Sequence, residues 1–145
     1  MPIYTSLSQL EKRLDSAILA GLADDLNAPP DLADAETIAV IDQAITDGAS
    51  LIDSYLLGRV DLSSPTTQAA LERLNATLAL YFLYQRRYLD DGLNPLTSSK
   101  ELVLDHLSAV SRGAARLADG DIGAPEMLVF CTTEDVKRVV DVNKF

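Results

Sequence analysis

The chain predicts an all-α fold, a bundle of about four helices followed by an extended C-terminal arm. Three observations predict it. Apolar residues recur at spacings of three and four in four successive segments. Each segment is bounded by Pro, Gly or a Ser/Asp cap. Hydrophobic residues make up 48% of the 145 residues, enough for a core without disulfides.

The first helix is expected from Ser6, with Gln9 three residues on as a capping-box partner. Leu7, Leu10, Leu14, Ile18 and Leu22 would share one face. Asp24 to Asp31 contains Pro29 and Pro30 and breaks it. Asp34 is the next N-cap, and Glu36 in the first turn suits the helix dipole. The second helix, Glu36 to Val60, carries the stripe Ile38, Ile41, Ile45, Gly48, Ile52 and Tyr55. Gly48 costs about 1 kcal/mol of helix propensity, so its place on the stripe predicts close approach of another helix.

Ser64 and Pro65 open the third helix, and Leu71, Leu74, Leu78, Tyr81 and Phe82 line it. The run from Leu78 to Tyr84 is apolar all round and predicts the central, most buried helix. It closes on Gln85-Arg86-Arg87, cations at the negative end of the dipole. Ser98 and Glu101 form a second capping box for the fourth helix. Val103, Leu107, Val110, Ala114 and Leu117 line that helix, and Gly120 is its expected C′ residue. The boundaries that follow are a helical domain over 1–120 and a docking arm over 121–145. In the arm, Met127-Leu128-Val129-Phe130-Cys131-Thr132 reads as a possible short strand. Val136, Val139 and Val140 do not distinguish helix from extended chain.

Net charge is −10 and unevenly placed. Residues 1–62 hold 11 acids and 3 bases, 63–118 hold 5 and 6, and 119–145 hold 6 and 3. Such a surface repels DNA phosphates rather than gripping them. Met1 to Ser6 has neither a basic nor an apolar leader region, and no apolar run reaches membrane-spanning length. A soluble, intracellular protein without membrane contact is expected.

No catalytic constellation is visible. There is no phosphate-binding Gly loop and no Cys pair. His106 stands alone in a helix, and Cys131 reads as a small hydrophobe. Asp24, Asp25, Asn27 and Asp31 lack the spacing and closing Glu of a calcium loop. The expectations are therefore no enzyme, no metal and no cofactor. Arg86, Arg87 and Tyr88 form a basic-aromatic cluster. It reads either as a cation-dressed helix end or as a contact with an acidic face of another copy, for which Asp24 and Asp25 are candidates.

Four stretches carry a resemblance. They are Tyr4-Thr5-Ser6-Leu7-Ser8-Gln9-Leu10, then Ala44 to Arg59 with Ile52-Asp53 and Tyr55-Leu56, then Leu71 to Tyr88, and a helix running into Leu117-Ala118-Asp119-Gly120. In that order they resemble the Mu-type head–tail adaptor family of tailed bacteriophages and prophages, over roughly residues 1–123. Members often carry an Asp- and Gly-rich loop between the first two helices, whereas Asp24 to Pro30 holds prolines and no Gly. The resemblance implies a structural virion protein without catalytic residues. Copies would form a ring of about twelve below the portal, with portal protein on one side and a tail-side adaptor, terminator or tail protein on the other. DNA would pass through without sequence-specific binding. The place would be the neck of the virion, assembled in the bacterial cytoplasm. The arm residues Met127, Leu128, Val129, Phe130, Val136, Val139, Val140 and Phe145 are the candidate docking contacts. The rival expectation is a small helical adaptor or regulator that forms a dimer and has no virion role.

Overall fold

The computed structural model describes residues 3–117. They form five helices: α1 Leu7–Glu11, α2 Ser16–Ala23, α3 Ala35–Leu56, α4 Pro65–Arg87 and α5 Thr97–Ser111. No strand occurs among the described residues. The fold is all-α as expected, with one helix more than the sequence suggested. The arm over 121–145, its possible strand and Gly120 lie outside the described residues.

The extra helix arises because the first segment breaks in two. Arg13 and Leu14 N–H both bond to the Leu10 carbonyl, which closes α1. Asp15 then caps α2, its Oδ1 accepting from Ala17 N–H at 2.8 Å. The restart shifts the register. Leu10 and Leu19 become fully buried, while Ile18 turns outward at 49% exposure. A continuous helix would have buried Ile18 instead. Ser6 precedes α1 in extended conformation, but its side chain makes no capping bond.

α3 begins as read. Asp34 Oδ2 accepts from Glu36 N–H at 3.1 Å and Thr37 N–H at 3.2 Å. It ends at Leu56 rather than Val60, because Gly58 takes a left-handed φ of 77° that stops the helix. Pro65 occupies the first turn of α4 as expected, although the Ser64 hydroxyl lies 3.1 Å from Thr66 Oγ1 and caps nothing. α5 starts at Thr97, so Ser98 and Glu101 fall inside the helix and form no capping box. Asn94 organises this start. Its Oδ1 accepts from Leu96 N–H at 2.9 Å, and its amide donates to Tyr81 O at 3.2 Å and to Gln85 Oε1 at 3.1 Å. α5 ends well before Gly120 on a Schellman turn. Gly113 has φ 75°, its N–H bonds to Val110 O at 3.0 Å, and Ala114 N–H reaches Ala109 O at 2.8 Å.

α3 and α4 form an antiparallel central pair. Gly48 on α3 sits against Asn75 and Leu78 of α4, and a Cβ there would meet Asn75 Oδ1 at 2.5 Å and Leu78 Cβ at 3.2 Å. The close approach expected from the stripe is therefore real. Two apolar clusters rest on this pair. α5 closes one with Val103, Leu107 and Val110 over Ile52, Leu56, Leu71 and Leu78. α1 and α2 close the other with Leu10, Leu19 and Leu22 over Ile41, Ile45, Ala79 and Leu83. Phe82 touches both. No described helix is long and apolar enough to cross a membrane.

Candidate subunit interface

The antiparallel order gathers the connections at two ends of the bundle. One end holds the α2–α3 loop and the α4–α5 loop. The other holds the α3–α4 loop and the exit from α5.

At the first end Asp24 is the organising residue. Its buried carboxylate accepts from Leu26 N–H at 2.9 Å, Asn27 N–H at 3.0 Å, the Asn27 amide at 2.8 Å and Asp31 N–H at 2.7 Å. The bond from Asp31, followed by those from Asn27 and Leu26, holds the Asp24 carboxyl well below the usual carboxylate range despite its burial. Both oxygens thus serve the loop's own N–H groups.

Arg86 and Arg87 reach the same loop from the end of α4. Arg86 Nη1 donates to Leu22 O at 2.9 Å and Ala23 O at 3.3 Å, and Arg87 Nη2 donates to Asp24 O at 2.8 Å. These are the carbonyls that the end of α2 leaves unpaired. Asp25 bridges the two guanidiniums, in a close pair with Arg86 and at 3.0 Å from Arg87. From sequence, these arginines read either as a cation-dressed helix end or as a contact with an acidic face of another copy. Their partner in the structure is the acidic loop of their own chain, more than 60 residues away along the sequence. Tyr88 stacks on Tyr84 with ring centres 6.2 Å apart and stays partly exposed. The candidates Met127, Leu128, Val129, Phe130, Val136, Val139, Val140 and Phe145 lie outside the described residues.

The sequence missed the leucines around this clasp. Leu26 is 72% exposed, Leu89 90% and Leu93 66%. Each sits in a turn tract among Asp, Asn and Gly, so no helical stripe marked it. At the opposite end Leu57 is 74% exposed, and Arg59 and Arg112 are exposed as well. There the buried Tyr4 hydroxyl donates a short bond to Asp53 and ties the first residues to α3. Burial, then the bond to Asp53 and its charge, pushes the Tyr4 hydroxyl above its ordinary value.

The family described as Bacteriophage Mu, Gp36 matches residues 4–126, which takes in all five helices. The chain belongs to that family. Among its relatives is the Mu-like prophage FluMu protein gp36 of Haemophilus influenzae, 31% identical over 123 residues, covering 83% of this chain and 79% of the relative. The Gp36 match begins at Tyr4, the residue tied to Asp53, and runs past the last described residue. The clasp of Arg86 and Arg87 on the first loop therefore lies wholly within the Gp36 region.

Proposed function

We propose that this Gp36-family chain is a structural virion protein, a head–tail adaptor whose copies form a ring below the portal. The observation that carries the reading is the match to a bacteriophage family over all five helices. The charge supports it. At −10 the chain suits a conduit wall that DNA slides past. In this reading the five helices are scaffold, and the partners are portal protein above and tail-side proteins below. Residues 121–145 are the docking arm, and no chemistry is performed.

The test is a phage or prophage from which the chain has been deleted. Electron microscopy of the lysate should show filled heads and free tails that do not join, with joining restored by the chain supplied in trans. Normal tailed particles without the chain would remove the adaptor reading.

A further inference from the structure

Two hollows share Val40 as a wall and together form a groove along the central helix pair. One, of about 360 Å³, is lined by Val40 and Ala44 of α3 and by Phe82 and Gln85 of α4. The other, of about 160 Å³, continues toward the first loop and is lined by Ala23, Leu26 and Glu36 besides Val40. The α3 wall runs from Glu36 to Asp47. At ~1.5 Å per residue that is about 16 Å, room for about three turns of a helix laid alongside.

The floor of the groove is apolar and its edge is acidic. Ala23 and Ala44 are buried, Val40 and Phe82 are half-buried, and Leu26 stands exposed at the mouth. α3 carries Glu36, Asp42, Asp47 and Asp53 and no base. Asp53 is buried against Tyr4, while the other three are exposed. Arg86 also reaches the edge, but its guanidinium is engaged with Leu22 O, Ala23 O and Asp25.

This chemistry selects the occupant. An acidic edge repels nucleic acid and anionic lipid. A second copy brings a net charge of −10, and residues 119–145 hold six acids against three bases. Neither another copy nor the chain's own arm therefore complements the edge. A helix with one apolar face flanked by Lys or Arg complements both edge and floor.

We propose that the α3–α4 groove is a docking site for a basic amphipathic helix of a different protein. The apolar face of that helix lies between Val40 and Phe82, and its flanking cations meet Glu36 and Asp47. Charge steers the encounter, while apolar burial supplies attraction that salt does not screen. The site goes beyond the adaptor reading, because it follows from the chemistry of the groove alone.

The probe is a synthetic amphipathic helix of leucine and lysine, fluorescently labelled and titrated with the full chain by anisotropy. A scrambled peptide of the same composition, without an apolar face, controls for charge alone. The native chain should bind the patterned peptide about tenfold or more tightly than the scrambled one. Glu36→Lys with Asp47→Lys should weaken binding about tenfold or more. Glu101→Lys with Asp105→Lys makes the same change of charge on exposed positions of α5 and should bind nearly as the native chain does. Leu26→Ser with Val40→Thr leaves every charge in place and should weaken binding without changing its salt dependence. Leu128→Ser with Phe130→Ser, in the arm, should leave affinity unchanged.

Failure to bind, or equal binding of the two peptides, overturns the proposal. So does an α5 variant that loses as much as the groove variant, or a Leu26–Val40 variant that loses nothing. Tighter binding by the arm variant would give the groove to the arm. Native oligomers that the peptide dissociates in sedimentation velocity would give it to a second copy. None of these results bears on head–tail joining in the deleted phage, so the two readings fail separately.

Discussion

At the α3–α4 seam the chain packs apolar side chains around a glycine and a buried amide, whereas at the first loop it ties backbone N–H groups to one carboxylate. Ile52, Leu71 and Leu78 are fully buried at the seam, and Asn75 lies among them with neither amide atom hydrogen-bonded. The first loop has the reverse balance. Asp24 satisfies four donors, while Leu26 two residues on points into solvent. Packing thus sets the scaffold, and polar bonds shape the end that faces outward. The seam should be costly to alter and insensitive to pH. The loop should be cheaper to alter and sensitive to acid.

The largest effect is expected in the seam. Leu78→Ala should lower unfolding free energy by about 2–5 kcal/mol, read from urea denaturation, while exposed Leu26→Ala should stay within about 0.5 kcal/mol. Equal costs would erase the contrast. Next comes the contact at Gly48. Gly48→Ala should destabilise by about 1–3 kcal/mol through overpacking on Asn75 and Leu78. In an Asn75→Ala background the same change should cost much less, because the obstructing oxygen is gone and Ala gains about 1 kcal/mol of helix propensity. Additive costs would show that the two residues do not couple.

Acid separates the two regions further. A carboxyl held below its unfolded value adds stability above the ordinary carboxylate range, and that stability is lost as pH falls through it. Asp24 is such a group, and so is Asp61, held low by the Ser63 hydroxyl and N–H. Stability should therefore fall as pH drops below about 4. Asp24→Asn should flatten part of that fall, and hydrogen exchange at Leu26, Asn27 and Asp31 should quicken. An unchanged pH profile in Asp24→Asn would place the acid sensitivity elsewhere. The smallest effect belongs to the arginines. The Asp25 carboxylate is about half exposed, so Arg86→Ala or Arg87→Ala should cost no more than about 1 kcal/mol. A larger loss would mean that the helix-end carbonyls, rather than the ion pair, carry the bond.

The seam was legible in the sequence and the clasp was not. Gly48 on an apolar stripe announced a close helix contact, and the all-round apolar run Leu78–Tyr84 marked the central helix, because both are local patterns. The break at Asp15 was hidden by leucines that fit a continuous stripe equally well. The Ser98–Glu101 capping box failed because Asn94, bonded to Tyr81 and Gln85 of α4, starts α5 before Ser98. Arg86 and Arg87 were recognised as a helix-end cluster, but their partners in the first loop are distant in sequence. No spacing rule encodes such a pairing. Leu26, Leu89 and Leu93 escaped notice for the related reason that turn residues have no face to be read from.

The proposed place of this Gp36-family chain is the neck of a phage particle. Its most direct test is to place an epitope tag on the chain, purify tailed particles and label them with gold for electron microscopy. The account predicts gold at the junction of head and tail, one focus per particle. Gold spread over the capsid, confined to the tail tip, or absent from intact particles would contradict it.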